Sequence, residues 1–215
     1  MAQALADVPG PLEIHGITAS RTLRTLWMAE ELGIEYVQHP VHFQGDARGA
    51  AFTAINPNGR VPAIVDDGVV IWESMAINLH LARTRVSSLT PDDAVGWSQA
   101  EMWSFWVMTE CEGTLLSAVV AKRGLFGYEV NEGRAQRRFE QLSRPLGVLE
   151  RHLLDARREG AGWLLGGRFT VADLNVASVL SWLRDGAFDL DPFPAVDDWL
   201  SRCLGRDAFA RARAR

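Results

Sequence analysis

Two short segments carry residue types whose spacing suits recognition of an amino-acid-like ligand. The first is Asn56-Pro57-Asn58-Gly59-Arg60-Val61-Pro62-Ala63-Ile64. Asn58-Gly59 reads as a turn. Pro62 then stands at the entry to an apolar run, where it has no N–H to give to a sheet ladder. A cis bond between Val61 and Pro62 accounts for a proline there, because cis peptides occur almost only before proline and mark tight turns. Such a turn leaves the N–H and C=O of Val61 facing outward, ready to pair with an extended peptide as an added strand would. On spacing alone, the alternative is a trans proline that starts an edge strand.

The second segment is Trp72-Glu73-Ser74-Met75-Ala76-Ile77. An apolar run ends at an acidic residue and a serine, and a helix begins. The free N–H groups and partial positive charge of a helix N-terminus make a natural carboxylate site. Glu73 beside it suits an ammonium group. Carboxylate and ammonium on one carbon are an amino-acid head group. The plainer alternative is that Ser74 only caps the helix.

The elements needed to position these segments alternate in type. Leu12 to Ile17 is a short strand, residues 20 to 33 are helical with Gly33 as C-cap, and Tyr36 to Val41 is a second strand. A loop containing Gly45 and Gly49 leads to a short helix at Ala50 to Ala54. Val61 to Val65 and Val69 to Trp72 flank Asp66-Asp67-Gly68, a strong hairpin signal, and a helix from Ser74 to Arg83 closes the unit. βαβ demands parallel pairing and the hairpin antiparallel pairing, so the expectation is a mixed four-stranded sheet of thioredoxin-like topology.

Beyond it, residues 85–93 are polar and read as a linker. The rest, 94–215, shows only helical patterning: 94–122, 131–158, 170–184 and 195–204, with Arg211–Arg215 as an arginine–alanine fringe. Thr170-Val171-Ala172-Asp173 fits a capping box, with Phe169 and Leu174 as its hydrophobic staple. The fold class is therefore an α/β thioredoxin-like domain at 12–84 followed by an all-α domain at 94–215, with 1–11 as a tail.

Composition narrows the function classes. Hydrophobic residues make up 47% and charged residues 23% of the 215, as in ordinary globular chains. A net charge of −5 argues against nucleic-acid binding, which needs a basic surface. Cys111 and Cys203 form no CxxC or CxxH pattern, so neither zinc nor a disulfide scaffold is expected, and no metal is called for. The start shows no secretory pattern, and no apolar stretch reaches about 18 residues. The expectation is a cytoplasmic protein without membrane partners.

NPNGRVPAIVDDG followed by WESMAI resembles the glutathione-binding segment of the cytosolic glutathione transferases, and a bacterial-type branch with serine in its first loop is implied. The similarity extends through EELGIEY, GGRFTVADL and FPAVDDWLSRCLGRDAF, nearly the whole chain after the tail. The resemblance implies glutathione as co-substrate. Val61, before Pro62, would pair with its cysteinyl backbone, Glu73 and Ser74 would hold its γ-glutamyl head group, and Arg60 would stand near its glycine end. The family places Ser, Tyr or Cys between the first strand and first helix. Here that loop reads Gly16-Ile17-Thr18-Ala19-Ser20-Arg21-Thr22, which makes Ser20 the candidate for stabilising the thiolate, with Thr18 and Thr22 in reserve and Arg21 or Arg24 adding positive potential. The alternative for Ser20 is a simple N-cap. Without a cysteine in this loop, thiol-transferase chemistry is not expected.

The implied reaction is attack of the thiolate on a small hydrophobic electrophile. Trp103, Phe105, Trp106 and Met108 either line that second site or belong to the core. Glutathione-dependent isomerisation, dehalogenation or peroxide reduction would use the same first half, and a non-catalytic interaction module is the rival from another class. A C2 homodimer is also implied, as is a role in detoxification. His80 replaces a frequent tyrosine and is expected to pack, and Asp207 replaces a common proline.

Overall fold

The computed structural model describes residues 11–215. Residues 1–10 of the expected tail lie outside the described residues. Two compact units emerge, one running to Leu81 and including Arg211–Arg215, the other Ala82–Ala210.

The first unit holds one sheet of four strands: β1 (Leu12–His15), β2 (Tyr36–His39), β3 (Ala63–Asp66) and β4 (Val69–Trp72). Their order is β2-β1-β3-β4, with β1 parallel to β2 and antiparallel to β3, and β3 antiparallel to β4. This is the mixed sheet expected from the alternation. Asp67 and Gly68 both take positive φ, 53° and 78°, the pattern of a type I′ turn that matches the strand twist. The helices are α1 (Leu23–Leu32), α2 (Ala50–Thr53) and α3 (Ser74–Thr84). Gly33 ends α1 in the left-handed region at φ 63°, where a glycine carries no Cβ penalty. Buried Leu12 and Ile14 of β1, Leu26, Trp27 and Met28 of α1, and Ile77 and Leu81 of α3 supply the apolar core of this unit. His80 of α3 bonds Asp66 at the hairpin end of β3 (2.8 Å), away from the opposite end where Val61 and Glu73 lie.

The second unit contains α4 (Ala94–Trp106), α5 (Gly113–Arg123), α6 (Glu132–Arg158), α7 (Val171–Asp185) and α8 (Pro194–Leu204), and no named strand occurs there among the described residues. α7 is buried along nearly its whole length, which makes it the central helix. The capping box expected at its start is present. Both oxygens of the buried Glu150 carboxylate accept from the backbone of α8, Ala195 N–H at 3.0 Å and Val196 N–H at 2.8 Å. Its negative charge thus meets the positive end of that helix. Residues 85–93 have no helix or strand, but they are pinned within this unit. Arg168 donates to the carbonyls of Ser88 and Thr90 and to Asp92.

One expectation needs correcting. The terminal residues assigned to the helical half as a fringe form a further helix, α9 (Asp207–Arg213), and Arg211–Arg215 join the first unit. The cause is Glu30 of α1. Its carboxylate accepts from Arg211 Nε (2.8 Å), Arg215 Nη2 (2.7 Å) and Tyr36 Oη (2.9 Å). Burial raises the pKa of this carboxyl, and these donors together outweigh burial and hold it below the usual range.

Candidate functional site at one end of the sheet

Sheet register brings the three candidate segments to one edge. His15 faces Ala63, and Ala63 faces Trp72. The chain leaves this row from β1 at Gly16, enters it through Val61-Pro62 into β3, and leaves it from β4 at Glu73. The loop after β1, the turn before β3 and the start of α3 are therefore neighbours by construction.

The Val61–Pro62 bond is cis, as expected from its position. The ladder begins at Ala63, so the backbone of Val61 lies beyond the last paired residue. Asn56 builds the turn that presents it. This buried side chain donates to the carbonyl of Arg60 (2.6 Å) and accepts from the N–H of Asn58 (3.1 Å). Gly59 is at φ 59°, and a Cβ there would sit 3.0 Å from the carbonyl oxygen of Ala47. Arg60 itself is exposed. Asn56 stands at the start of the motif, but its role depends on a fold-back that composition does not show.

Glu73 is the most informative residue. It is exposed and takes φ 74°, a left-handed conformation that a glycine adopts freely and a glutamate does not. Such strain costs on the order of 1–3 kcal/mol and gathers at functional sites. Its carbonyl accepts from Ile77 N–H (2.9 Å), so Glu73 is the boundary residue of α3 and Ser74 the first helical one. Ser74 is buried, and its hydroxyl accepts from Nη1 of Arg24 at 3.4 Å. Arg24 is only 2% exposed and its carbonyl accepts from Asn78. A buried guanidinium thus adds positive charge at the helix end already favoured for a carboxylate. Arg24, expected with Arg21 to add positive potential at the Ser20 loop, instead reaches the Ser74 hydroxyl.

The hydroxyl loop is sorted by burial. Thr18 donates to the main-chain carbonyl of Arg215 (3.0 Å). Thr22 is fully buried. Ser20 is half-buried; its hydroxyl lies 2.6 Å from the Ile17 carbonyl and 2.9 Å from Thr22 Oγ1, and it accepts from Thr22 N–H (3.1 Å). The last bond is a capping contact, and the oxygen stands at the entrance to α1. Gly16 makes the close packing possible. At φ 140°, a Cβ there would lie 2.0 Å from Thr22 Oγ1 and 3.1 Å from Val61 Cβ.

The aromatic stripe of α4 and the residues after it divides. Trp103 is buried against Trp106 (ring centroids 5.0 Å) and His152 (4.8 Å), whereas Phe105 is 67% exposed. Both cysteines are buried, and burial, with Glu110 nearby, pushes the Cys111 thiol up to about 12.

Comparison with known proteins places the fold in a family. The family model described as Glutathione S-transferase, N-terminal domain, matches residues 12–83, and the C-terminal domain model matches 106–207. Glutathione S-transferase D7 of Drosophila melanogaster is 30% identical over 200 residues, covering 88% of this chain and 82% of the fly protein. The chain belongs to the glutathione S-transferase family. Glutathione S-transferase 3 of Zea mays is 31% identical over 174 residues, 78% of this chain and 76% of the maize protein. The solved structure of Ure2p in complex with glutathione superposes with a TM-score of 0.83 at 26% identity, covering 94% of this chain and 97% of that one.

Proposed function

We propose that this protein is a glutathione transferase of the serine-loop kind, which binds glutathione at the end of its mixed sheet and activates the thiol for attack on a hydrophobic electrophile. The observation that carries the reading is Glu73, an exposed acid at φ 74° on the boundary of α3, on the same sheet edge as the cis Val61–Pro62 bond. Val61 supplies backbone N–H and C=O to the cysteinyl unit, and Arg60 serves the glycine end. Glu73 takes the ammonium of the γ-glutamyl group, and Ser74 with the first N–H groups of α3 takes its carboxylate. Ser20 donates to the sulfur. Proximity of thiolate and electrophile completes the rate advantage.

The test is calorimetric titration with glutathione. Wild type is expected to bind with a Kd between micromolar and low millimolar. Glu73→Ala is expected to weaken binding at least tenfold, about 1.4 kcal/mol. A folded wild type that binds no glutathione would overturn the proposal.

A second reading, a glutathione-binding member without turnover, is favoured by one contact: in this structure the Ser20 hydroxyl lies 2.6 Å from the carbonyl of Ile17, its nearest acceptor. Both readings include a two-fold homodimer in the cytoplasm. The comparisons support that assembly only through family membership, and no helix among the described residues is long and apolar enough to cross a membrane. Light scattering at micromolar concentration is expected to give twice the chain mass of 23.8 kDa; a single-chain mass contradicts the dimer.

A further inference from the structure

The face of the sheet opposite Leu12 and Ile14 carries a cluster that the proposed reaction does not use. Glu13 and His15 are two apart on β1 and share one face, as strand periodicity requires. His39 of β2 is the register partner of His15. The two imidazoles stack with centroids 4.7 Å apart. Glu13 Oε2 lies 2.9 Å from His39 Nε2 and 3.6 Å from His15 Nε2, and all three ligand atoms fall within 4.8 Å of one another. Apart from these approaches to Glu13, neither Nε2 atom has a hydrogen-bond partner among the described residues.

We propose that Glu13, His15 and His39 form a binding site for a divalent first-row transition cation of the zinc type. Two imidazole nitrogens and one carboxylate oxygen are an established donor set for such an ion, and three protein ligands leave a fourth position for water. Ligands about 2.0–2.2 Å from a tetrahedral zinc lie roughly 3.3–3.6 Å apart, so the present separations need only small side-chain adjustment. Imidazole and carboxylate together favour zinc, nickel and copper over calcium or magnesium, which take oxygen ligands.

The surroundings are suitable. His15 is 8% exposed, whereas the side chains of Glu13 and His39 are 42% and 43% exposed; both Nε2 atoms are themselves shielded from solvent, so a cation would be held beneath the exposed parts of Glu13 and His39. Phe52 lies beside His15, with ring centroids 6.2 Å apart. The backbone around the ligands is fixed. Gly16 N–H donates to the carbonyl of His39 (2.9 Å), and Gln38 Nε2 donates to the carbonyl of Gly16 (2.9 Å). A bound cation would therefore cross-link β1 to β2 at the root of the Gly16–Thr22 loop. It would stabilise that edge without being part of the glutathione chemistry.

The experiment is titration of the tag-free full chain, stripped with chelator and free of glutathione, with zinc chloride in a calorimeter. One zinc per chain with a micromolar or tighter Kd is expected, together with a rise in melting temperature on saturation. His39→Ala and Glu13→Gln alter partly exposed side chains and are expected to weaken binding at least tenfold while the chain stays folded. His42→Ala, an exposed histidine outside the cluster, is expected to leave binding unchanged. Cobalt substitution should give the visible absorption of a four-coordinate ion, lost in His39→Ala. A folded wild type with no zinc uptake, or an affinity unchanged in His39→Ala, or one lost in His42→Ala, would overturn the assignment.

Discussion

Asp173→Ala is expected to lower the unfolding free energy by about 3–5 kcal/mol, well beyond the roughly 1 kcal/mol of a lost helix cap. The sequence shows this residue as one half of a capping box. The structure shows a carboxylate with no exposed surface that accepts four hydrogen bonds, from Thr170 N–H (3.0 Å), Thr170 Oγ1 (3.1 Å), Leu164 N–H (2.9 Å) and Trp199 Nε1 (2.9 Å). Trp199 belongs to α8 and is itself fully buried, so this one side chain ties the start of α7 to α8 and to the turn before it. Truncation strands three buried N–H groups, and each unsatisfied donor costs about 1–3 kcal/mol, partly recovered by water entering the cavity. Burial pushes the carboxyl pKa up, and the four hydrogen bonds oppose that shift without cancelling it. Asp173→Asn, which removes the buried charge but keeps one acceptor oxygen, should therefore fall between wild type and the alanine variant. Urea melts of the three proteins check the order. A loss below 1 kcal/mol in Asp173→Ala would mean that the carboxylate serves the cap alone.

How much of this was legible in the sequence depends on how local each cause is. The Asp67-Gly68 turn, the Gly33 cap and the Thr170–Asp173 box are set by residues within four positions of each other, and all are present. The mixed sheet followed from the order of local signals plus the pairing rules. The Val61–Pro62 turn and Glu73 were legible as a candidate site only together. That both lie on one row depends on the Ala63–Trp72 register, which the hairpin turn fixes.

What escaped is long-range. Arg24 reaches Ser74 across 50 residues, and Glu30 draws in Arg211 and Arg215 across more than 180. No window of sequence contains both partners. The Glu13–His15–His39 cluster escaped for a related reason. A search for metal ligands by spacing follows cysteines and local histidine pairs, whereas these three meet only because β1 and β2 are parallel and in this register.

Ser20→Ala is expected to cut kcat/KM for a generic electrophile about 25-fold near pH 7, the ratio of thiolate fractions for a pKa of about 6.5 against 8.5, with a stability loss of only about 0.5–2 kcal/mol from the missing cap. A free thiol has a pKa of about 8.5, so a site that lowers it by two units invests about 2.7 kcal/mol in the charged form. A hydrogen bond to an ionised group supplies about 1.5–3 kcal/mol, and the end of α1 adds a smaller share. The contacts of Ser20 are compatible with the proposed role. Thr22 N–H holds its oxygen at 3.1 Å, and in the proposed complex the hydroxyl, whose oxygen now lies 2.6 Å from the Ile17 carbonyl, would turn about the C–O bond to donate to the sulfur instead. Thr22 is fully buried, and Thr18 is engaged with the Arg215 carbonyl, so neither is placed to take over. The sign of the pH effect follows. The wild-type rate should fall only below about pH 6.5, whereas the variant should climb until pH 8.5 is passed, as for an unassisted thiol. Ultraviolet titration of bound glutathione reads the same two-unit shift without turnover. If the thiol pKa is unchanged in Ser20→Ala and only the melting temperature drops, the hydroxyl is a cap. The glutathione-binding reading without turnover then gains the ground that the transferase loses.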